Sequence, residues 1–349
     1  MTTPGDVVYH LALRDVHREM GATFGLASGW STPIHYGDWQ AEHRALRSDV
    51  AITDRSAGSR TMVTGTDALD TLRATFAGHL EEIEEGRSMR SVRLDAHGMI
   101  RDVVLVTRTG GIAYLVIGEP GQRTETVAAL KRAIQPDFDA RVEDRTESTC
   151  LVAIAGPGAG TFIQEHLTDA LPARLQTLQA VTFEFHGFRA LAIRASNSGE
   201  DGFELMTAPA VAQHLLETVR AAGKQMAGTM AWETARVESC IPAYEPDLGG
   251  GLSPGEADLD GLLDINAGRS RWLLSAVLFD GDAAPAPGTP IVIEGAAAGE
   301  TRSAVRSPLL GASIGLAIVQ TSLATPGTRL DAGGVGATIT AKPFYRRRS

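Results

Sequence analysis

The chain has 349 residues, 43% of them hydrophobic and only 5% aromatic, with a formal net charge of −10. That length accommodates two or three domains and a sizeable core, while the acidic balance argues against nucleic acid or an anionic membrane as partner, since both are bound through basic patches. The N-terminus has no basic segment leading into an apolar run, and no stretch of about 18 apolar residues occurs, so a cytoplasmic protein with no membrane span is expected.

Residues 9–21 are expected to form a short helix ending near Gly21. Gly29 to Gly37, G-W-S-T-P-I-H-Y-G, is expected to be a loop, with Trp30 and Tyr36 either plugging a core edge or lining a pocket. A helical turn follows at Glu42 to Arg47. Ser59 to Phe76 reads as a strand, a turn at Gly65 and a helix, and residues 150–167 repeat that layout around Gly156-Pro157-Gly158. The repetition predicts two similarly built α+β lobes, each an antiparallel sheet covered on one side by helices. The G-P-G-A-G run lacks the Lys-Ser/Thr of a phosphate loop and the spacing of a dinucleotide loop.

Between these repeats lies Leu94 to Val106, L-D-A-H-G-M-I-R-D-V-V-L-V, which reads as a hairpin turning through Ala96-His97-Gly98. Alternation puts Asp102 on the face shared by Ile100, Val104 and Val106. A carboxylate on an apolar face is costly, so Asp102 is either paired in the fold or held ready for proton chemistry.

Residues 181–194 form a second hairpin, and a further strand starts at Gly202. The turn between them, Ser196 to Gly202, either is a simple connection or presents Glu200 at a sheet edge. Helices are expected over Ala210–Ala222 and Met230–Glu238, then a Gly/Pro/Asp-rich crossing from Pro246 to Gly261. From Trp272 onward, short strands separated by Pro and Gly turns predict a small β-barrel or sandwich. Cys150 and Cys240 are far apart, without a nearby CxxC or HxxxH, and read as buried thiols; no metal site is expected. Arg346 to Arg348 reads as a solvated tail.

Taken together, these segments resemble the glycine-cleavage T-protein family of folate-dependent aminomethyltransferases and their demethylating relatives. Gly29 to Gly37 is similar to its G-W-x-M-P-x-x-Y, Glu42 to Asp49 to its E-H-x-x-V-R-x-x-A, and Asp54-Arg55-Ser56 to its D-V-S. The Leu94 hairpin is similar to L-N-x-x-G-G-x-x-D-D, Gly199 to Glu204 to G-E-x-G-[FY]-E, Arg236-Val237-Glu238 to R-L-E, and Pro343-Phe344-Tyr345 to the closing P-F-Y.

The resemblance implies an α+β fold of two ferredoxin-like lobes around a central folate-binding hole, plus a C-terminal β-barrel. Residues 1–148 would form the first lobe, 149–252 the second, and 253–349 a linker and the barrel. It implies tetrahydrofolate as cofactor and a small-molecule one-carbon donor or acceptor as partner. Glu200 would take the adjacent N–H donors of the pterin in a bidentate pair, so that Glu200→Gln weakens folate affinity, and Asp102 would be the catalytic proton carrier. Tyr244, Trp30 and Tyr36 would line the pocket, and Arg236 or Arg346 would meet the anionic folate tail.

The sequence also departs from the family pattern. Val103 follows Asp102 where the family has a second aspartate, Met99 replaces a glycine, Trp232 stands where R-D-x-L-R begins, and Ile117-Gly118-Glu119 stands for V-N-A. The K-x-x-F-I-G-x-E segment is missing between Asp264 and Trp272. These changes argue against ordinary work with a lipoyl carrier protein and for a specialised one-carbon transferase. A non-catalytic folate-binding regulator or assembly factor is the alternative, weakened by the absence of K-G-C-Y-x-G-Q-E. A scaffold subunit of a larger oxidase is a third reading.

Overall fold

The computed structural model describes residues 7–167, 175–185, 187–259, 263 and 270–347. The chain forms two compact units, each discontinuous in sequence. The first comprises Met1–Arg93, Val104–Ser196 and Glu200–Trp232; the second comprises Leu94–Val103, Asn197–Gly199 and Glu233–Ser349.

The first unit is built on two main sheets. One has five strands in the order Ser88–Leu94, Ile100–Gly110, Ala113–Gly118, Ser59–Thr64 and Arg141–Asp144. The other has six, in the order Ala180–Phe185, Phe188–Ile193, Gly202–Thr207, Cys150–Ala155, Ala51–Asp54 and Gln225–Met226.

The period of two along each strand gives each sheet two different faces. In the five-stranded sheet Val63, Val104, Val106, Tyr114 and Val116 meet Ala68, Leu72 and Leu130 of the covering helices. In the six-stranded sheet Ile52, Val152, Ile154, Phe203 and Leu205 meet Phe162, Ile163, Val211, Leu215 and Val219. The opposite faces pack on each other: Leu105, Leu115 and Ile117 from one sheet join Leu151, Ala180, Ile193 and Ala195 from the other. Two helix-covered sheets of the expected α+β kind are therefore present, and the early part of the chain contributes to the later one. Ala51–Asp54, early in the chain, is hydrogen-bonded between the Cys150–Ala155 and Gln225–Met226 strands of the later sheet.

Both strand–turn–helix repeats form, Ser59–Thr64 with Ala68–Arg73 and Cys150–Ala155 with Ala159–His166. At the second turn Gly156 has φ +131°, and a Cβ there would lie 2.4 Å from the Asp49 carbonyl oxygen, so only glycine fits. The turn amides have protein partners: Gly156 N–H donates to Asp201 O at 2.9 Å and Gly158 N–H to Asp49 O at 2.7 Å. No anion is needed to satisfy them.

The expected loop at 29–37 is instead largely a strand. Trp30–His35 is the centre of a small sheet, flanked by Tyr9–His10 and Thr23–Ala27. Pro33 is accommodated beside the register shift between Thr23 and Phe24, where the ladder is irregular and a missing N–H costs least.

The second unit contains a closed six-stranded barrel, in the order Trp272–Phe279, Ala312–Gln320, Ala296–Ser307, Pro290–Ile293, Arg329–Ala332 and Val335–Thr340. Val277, Ile291, Ala317, Val319, Leu330 and Ile339 fill it. The shortened stretch expected between Asp264 and Trp272 lies almost wholly outside the described residues, as does Arg348. No helix among the described residues is long and apolar enough to cross a membrane.

Candidate functional site

Two glutamates of the G-E-D-G-F-E motif are buried in the first unit, in opposite circumstances. Glu200 stands just before the Gly202–Thr207 strand, and its Oε1 accepts from Arg47 Nη1 at 2.8 Å. Arg47 lies on helix Trp39–Ser48, which begins under Asp38, whose side chain accepts from the Gln40 and Ala41 amides. Both partners are almost fully covered, with 5% and 2% of their side chains exposed. Glu200, the expected pterin anchor, therefore has a protein cation already bound to its carboxylate.

Glu204 has no such closure. In register it stands beside Ala153, which stands beside Thr53, so Glu204 and Thr53 share the sheet face turned toward the five-stranded sheet. Arg55, two residues beyond Thr53, continues that face. Arg55 Nη1 lies 3.3 Å from Glu204 Oε1, an ion pair without hydrogen-bond alignment. Glu204 Oε2, Arg55 Nη1 and Thr53 Oγ1 are all buried and have no hydrogen-bond partner. Burial raises the Glu204 carboxyl above the ordinary range, against the pull of the Arg55, Arg90 and Arg60 charges. Burial, then the Arg55 charge, lowers the Arg90 guanidinium, which donates to Ser196 O at 3.1 Å. The Arg55 guanidinium carbon lies 5.2 Å from the Trp232 ring centroid, in cation–π range.

Buried polar atoms are nearly always paired, and an unpaired one costs about 1–3 kcal/mol. Three on one sheet face form a site that a polar ligand would complete. An acceptor next to a fixed donor suits a planar ligand edge carrying N–H groups beside a carbonyl. A pterin has such an edge, so this observation fits a folate in the first unit, with Glu204, Arg55 and Thr53 as the residues to hold it. The alternation that exposed Asp102 in sequence also contains this signal, since Glu204 is the acid within the Gly202–Thr207 strand.

In the second unit Asp102 is completely buried. The hairpin around it forms as expected. Asp95 closes the turn by accepting from the His97 and Met99 amides at 2.9 and 3.0 Å, and its Oδ2 accepts from Arg101 Nε at 2.9 Å. Ile100 N–H donates to Leu252 O at 2.8 Å, fixing the return arm. Asp102 Oδ1 accepts from the Val103 amide at 2.8 Å. Tyr244 is buried, with its hydroxyl hydrogen-bonded to Arg101.

Arg236, also expected near the folate tail, is held by protein groups on every side. Its guanidinium donates to Glu233, the Ile241 carbonyl, Asp247 and Ser303 Oγ, using every donor edge. Burial lowers its pKa, but the Glu233 and Asp247 carboxylates outweigh that and raise it overall. A buried guanidinium so occupied braces the turn after its helix. Arg346 is exposed.

Trp30 is 3% exposed, stacks on Tyr9 at 5.1 Å and packs with Leu11 and Ala57, which makes it a core plug. Tyr36 is likewise engaged: its hydroxyl lies 2.8 Å from His17 Nδ1, and His17 Nε2 lies 2.7 Å from Asp54 Oδ2. Burial pushes the Asp54 carboxyl up, but His17 and Ser56 outweigh it and hold it below the usual range.

Two α+β sheets with a separate six-stranded barrel define the fold class of glycine-cleavage T-proteins. The family profile described as GCVT N-terminal domain matches residues 13–267, and the glycine cleavage T-protein C-terminal barrel domain matches residues 271–346. The chain belongs to the glycine-cleavage T-protein family. An aminomethyltransferase of Streptomyces avermitilis is 31% identical, covering 97% of this chain and 98% of its own length. One from Cutibacterium acnes is 29% identical, over 96% and 98%. The crystal structure of glycine cleavage system aminomethyltransferase T from Bartonella henselae has the same fold, with a TM-score of 0.89 at 20% identity and coverage of 98% of this chain and 99% of that one.

Proposed function

We propose that the protein is a tetrahydrofolate-dependent one-carbon transferase of the aminomethyltransferase type. The observation that carries the reading is the unpartnered Glu204 carboxylate oxygen, buried beside Arg55 and Thr53 in a chain of this family. Bound tetrahydrofolate would supply the N5 and N10 amines between which a one-carbon unit is carried.

In this reading Glu204, rather than Glu200, receives the pterin N–H donors, because the Glu200 carboxylate is held by Arg47. The Ile193 and Leu151 side chains on the same face exclude water from that contact and strengthen it. Asp102 holds and relays the proton at its carboxyl group; the Val103 amide at Oδ1 fixes its orientation. The hydrophobic residue at Val103, where the family motif has a second acid, leaves Asp102 with one fewer neighbouring charge and supports a donor other than the usual one.

Titration of intrinsic tryptophan fluorescence with tetrahydrofolate tests the binding, since Trp232 adjoins Arg55. No response confirmed by absence of heat in calorimetry removes the reading. Asp102→Asn is expected to bind tetrahydrofolate within about threefold of wild type and to lose at least a hundredfold in turnover, the scale of a general acid–base residue. Tight binding without transfer from any methylated or aminomethyl donor would favour a folate-binding regulator instead.

A further inference from the structure

Arg55 and Glu204 make an unusual pair. Their nearest atoms are 3.3 Å apart, yet Arg55 Nη1 donates to nothing and Glu204 Oε2 accepts nothing. Both atoms are buried, so water does not pay the difference. The guanidinium plane is also restrained from the side by the Trp232 ring at 5.2 Å. The result is a donor and an acceptor fixed side by side on one sheet face, with Thr53 Oγ1 as a further unpartnered group.

Two departures from the family pattern meet at this pair. Arg55 occupies the middle position of the D-V-S motif, and Trp232 occupies the first position of R-D-x-L-R. Trp232 thus stands on helix Thr229–Glu238 where the family pattern has an arginine, and Arg55 stands just past strand Ala51–Asp54 where it has a valine.

We propose that Arg55 is a specificity-determining residue that donates to the 4-oxo group of the pteridine, making the site selective for 4-oxo over 4-amino ligands. This deepens the proposed function and rests on it. The 2-amino-4-oxo edge carries an amino N–H, a ring N3–H and a carbonyl oxygen in succession; Glu204 matches the two donors and Arg55 the carbonyl. A 4-amino ligand would instead present a donor to the Arg55 donor and an unprotonated N3 to Glu204, and the first of these mismatches is the one Arg55 sets. A site built around a hydrogen bond rejects the analogue that cannot make it more strongly than any change of size would.

The test compares tetrahydrofolate with its 4-amino-4-deoxy analogue in the same reduction state, by calorimetric affinity on the full chain. Wild type is expected to favour the 4-oxo ligand at least tenfold. Arg55→Met, which keeps the stem and removes the donors, is expected to cut that preference at least threefold, chiefly by weakening the 4-oxo ligand, while the part set by Glu204 at N3 remains. Arg55→Val combined with Trp232→Arg, which returns the guanidinium to the helix, is expected to recover discrimination and keeps the question answerable if Arg55→Met does not fold. A residue that only supports the fold would weaken both ligands equally and leave the ratio unchanged. An unchanged ratio in a folded Arg55→Met, or no discrimination in wild type, overturns this inference alone; failure of both ligands to bind wild type overturns the proposed function with it.

Discussion

Glu200 and Glu204 lie four positions apart in one motif, both are buried, and each has an arginine within ion-pair distance, 2.8 Å for Arg47 and 3.3 Å for Arg55. Only the first pair is aligned. The Arg47 guanidinium comes from a capped helix that fixes its direction, and the carboxylate it meets is closed by protein. Arg55 is drawn instead toward the Trp232 ring, and its partner keeps an unused oxygen. Burial alone therefore does not separate a structural acid from a ligand-binding one; what separates them is whether the fold has used the hydrogen-bonding capacity of the group.

The comparison can be broken most forcefully at Arg47. Arg47→Ala strands a buried carboxylate, and unfolding by urea is expected to show a loss of about 3–5 kcal/mol while the remaining folded protein binds tetrahydrofolate normally. Intact stability there would mean that Glu200 is not structural. The reciprocal change, Glu204→Gln, is expected to weaken tetrahydrofolate binding by about ten- to a hundredfold, as loss of a charged hydrogen bond worth about 1.5–3 kcal/mol predicts, with stability unchanged or improved.

Titration sharpens the same contrast. Because burial raises the Glu204 pKa in the folded state, folding binds a proton there, and the stabilising effect of that proton is complete below the unfolded pKa and lost as pH rises through the folded one. Tetrahydrofolate donors need the ionised carboxylate, so affinity is expected to rise with pH through that same folded pKa, by up to about tenfold per pH unit, and to be flat in Glu204→Gln. A wild-type profile as flat as the variant would remove Glu204 from the contact. The smallest effect concerns a closed region next door. Burial, then the Asp54 charge, pushes the Cys150 thiol up to about 12, and at pH 8 in the native protein this residue is expected to resist iodoacetamide over hours, read by mass spectrometry.

Several features were legible in the sequence because they depend on neighbours along the chain. The Leu94 hairpin, the buried face of Asp102, the two strand–turn–helix repeats and the barrel strands all follow from alternation and turn residues. The strand at Trp30–His35 was obscured by its proline and glycines, and its hydrogen bonds come from Tyr9–His10 and Thr23–Ala27. Arg236 carried a charge that suggested a ligand contact, but its partner Ser303 arrives from the barrel, 67 residues later.

The choice between the two glutamates was of the latter kind. The motif offers both at fixed spacing, and nothing in that spacing says which one a distant guanidinium will reach. Arg47 is 153 residues from Glu200, and Arg55 follows directly on the Ala51–Asp54 strand, which the early chain contributes to the later sheet, so their alignment depends on how helix and strand are seated. The sequence by itself determined most of the elements, their apolar faces and the family, because these are set by local periodicity and residue order. Only the tertiary structure decided which buried acid is satisfied and which is left open, because hydrogen-bond direction is fixed by packing between segments that the chain keeps far apart.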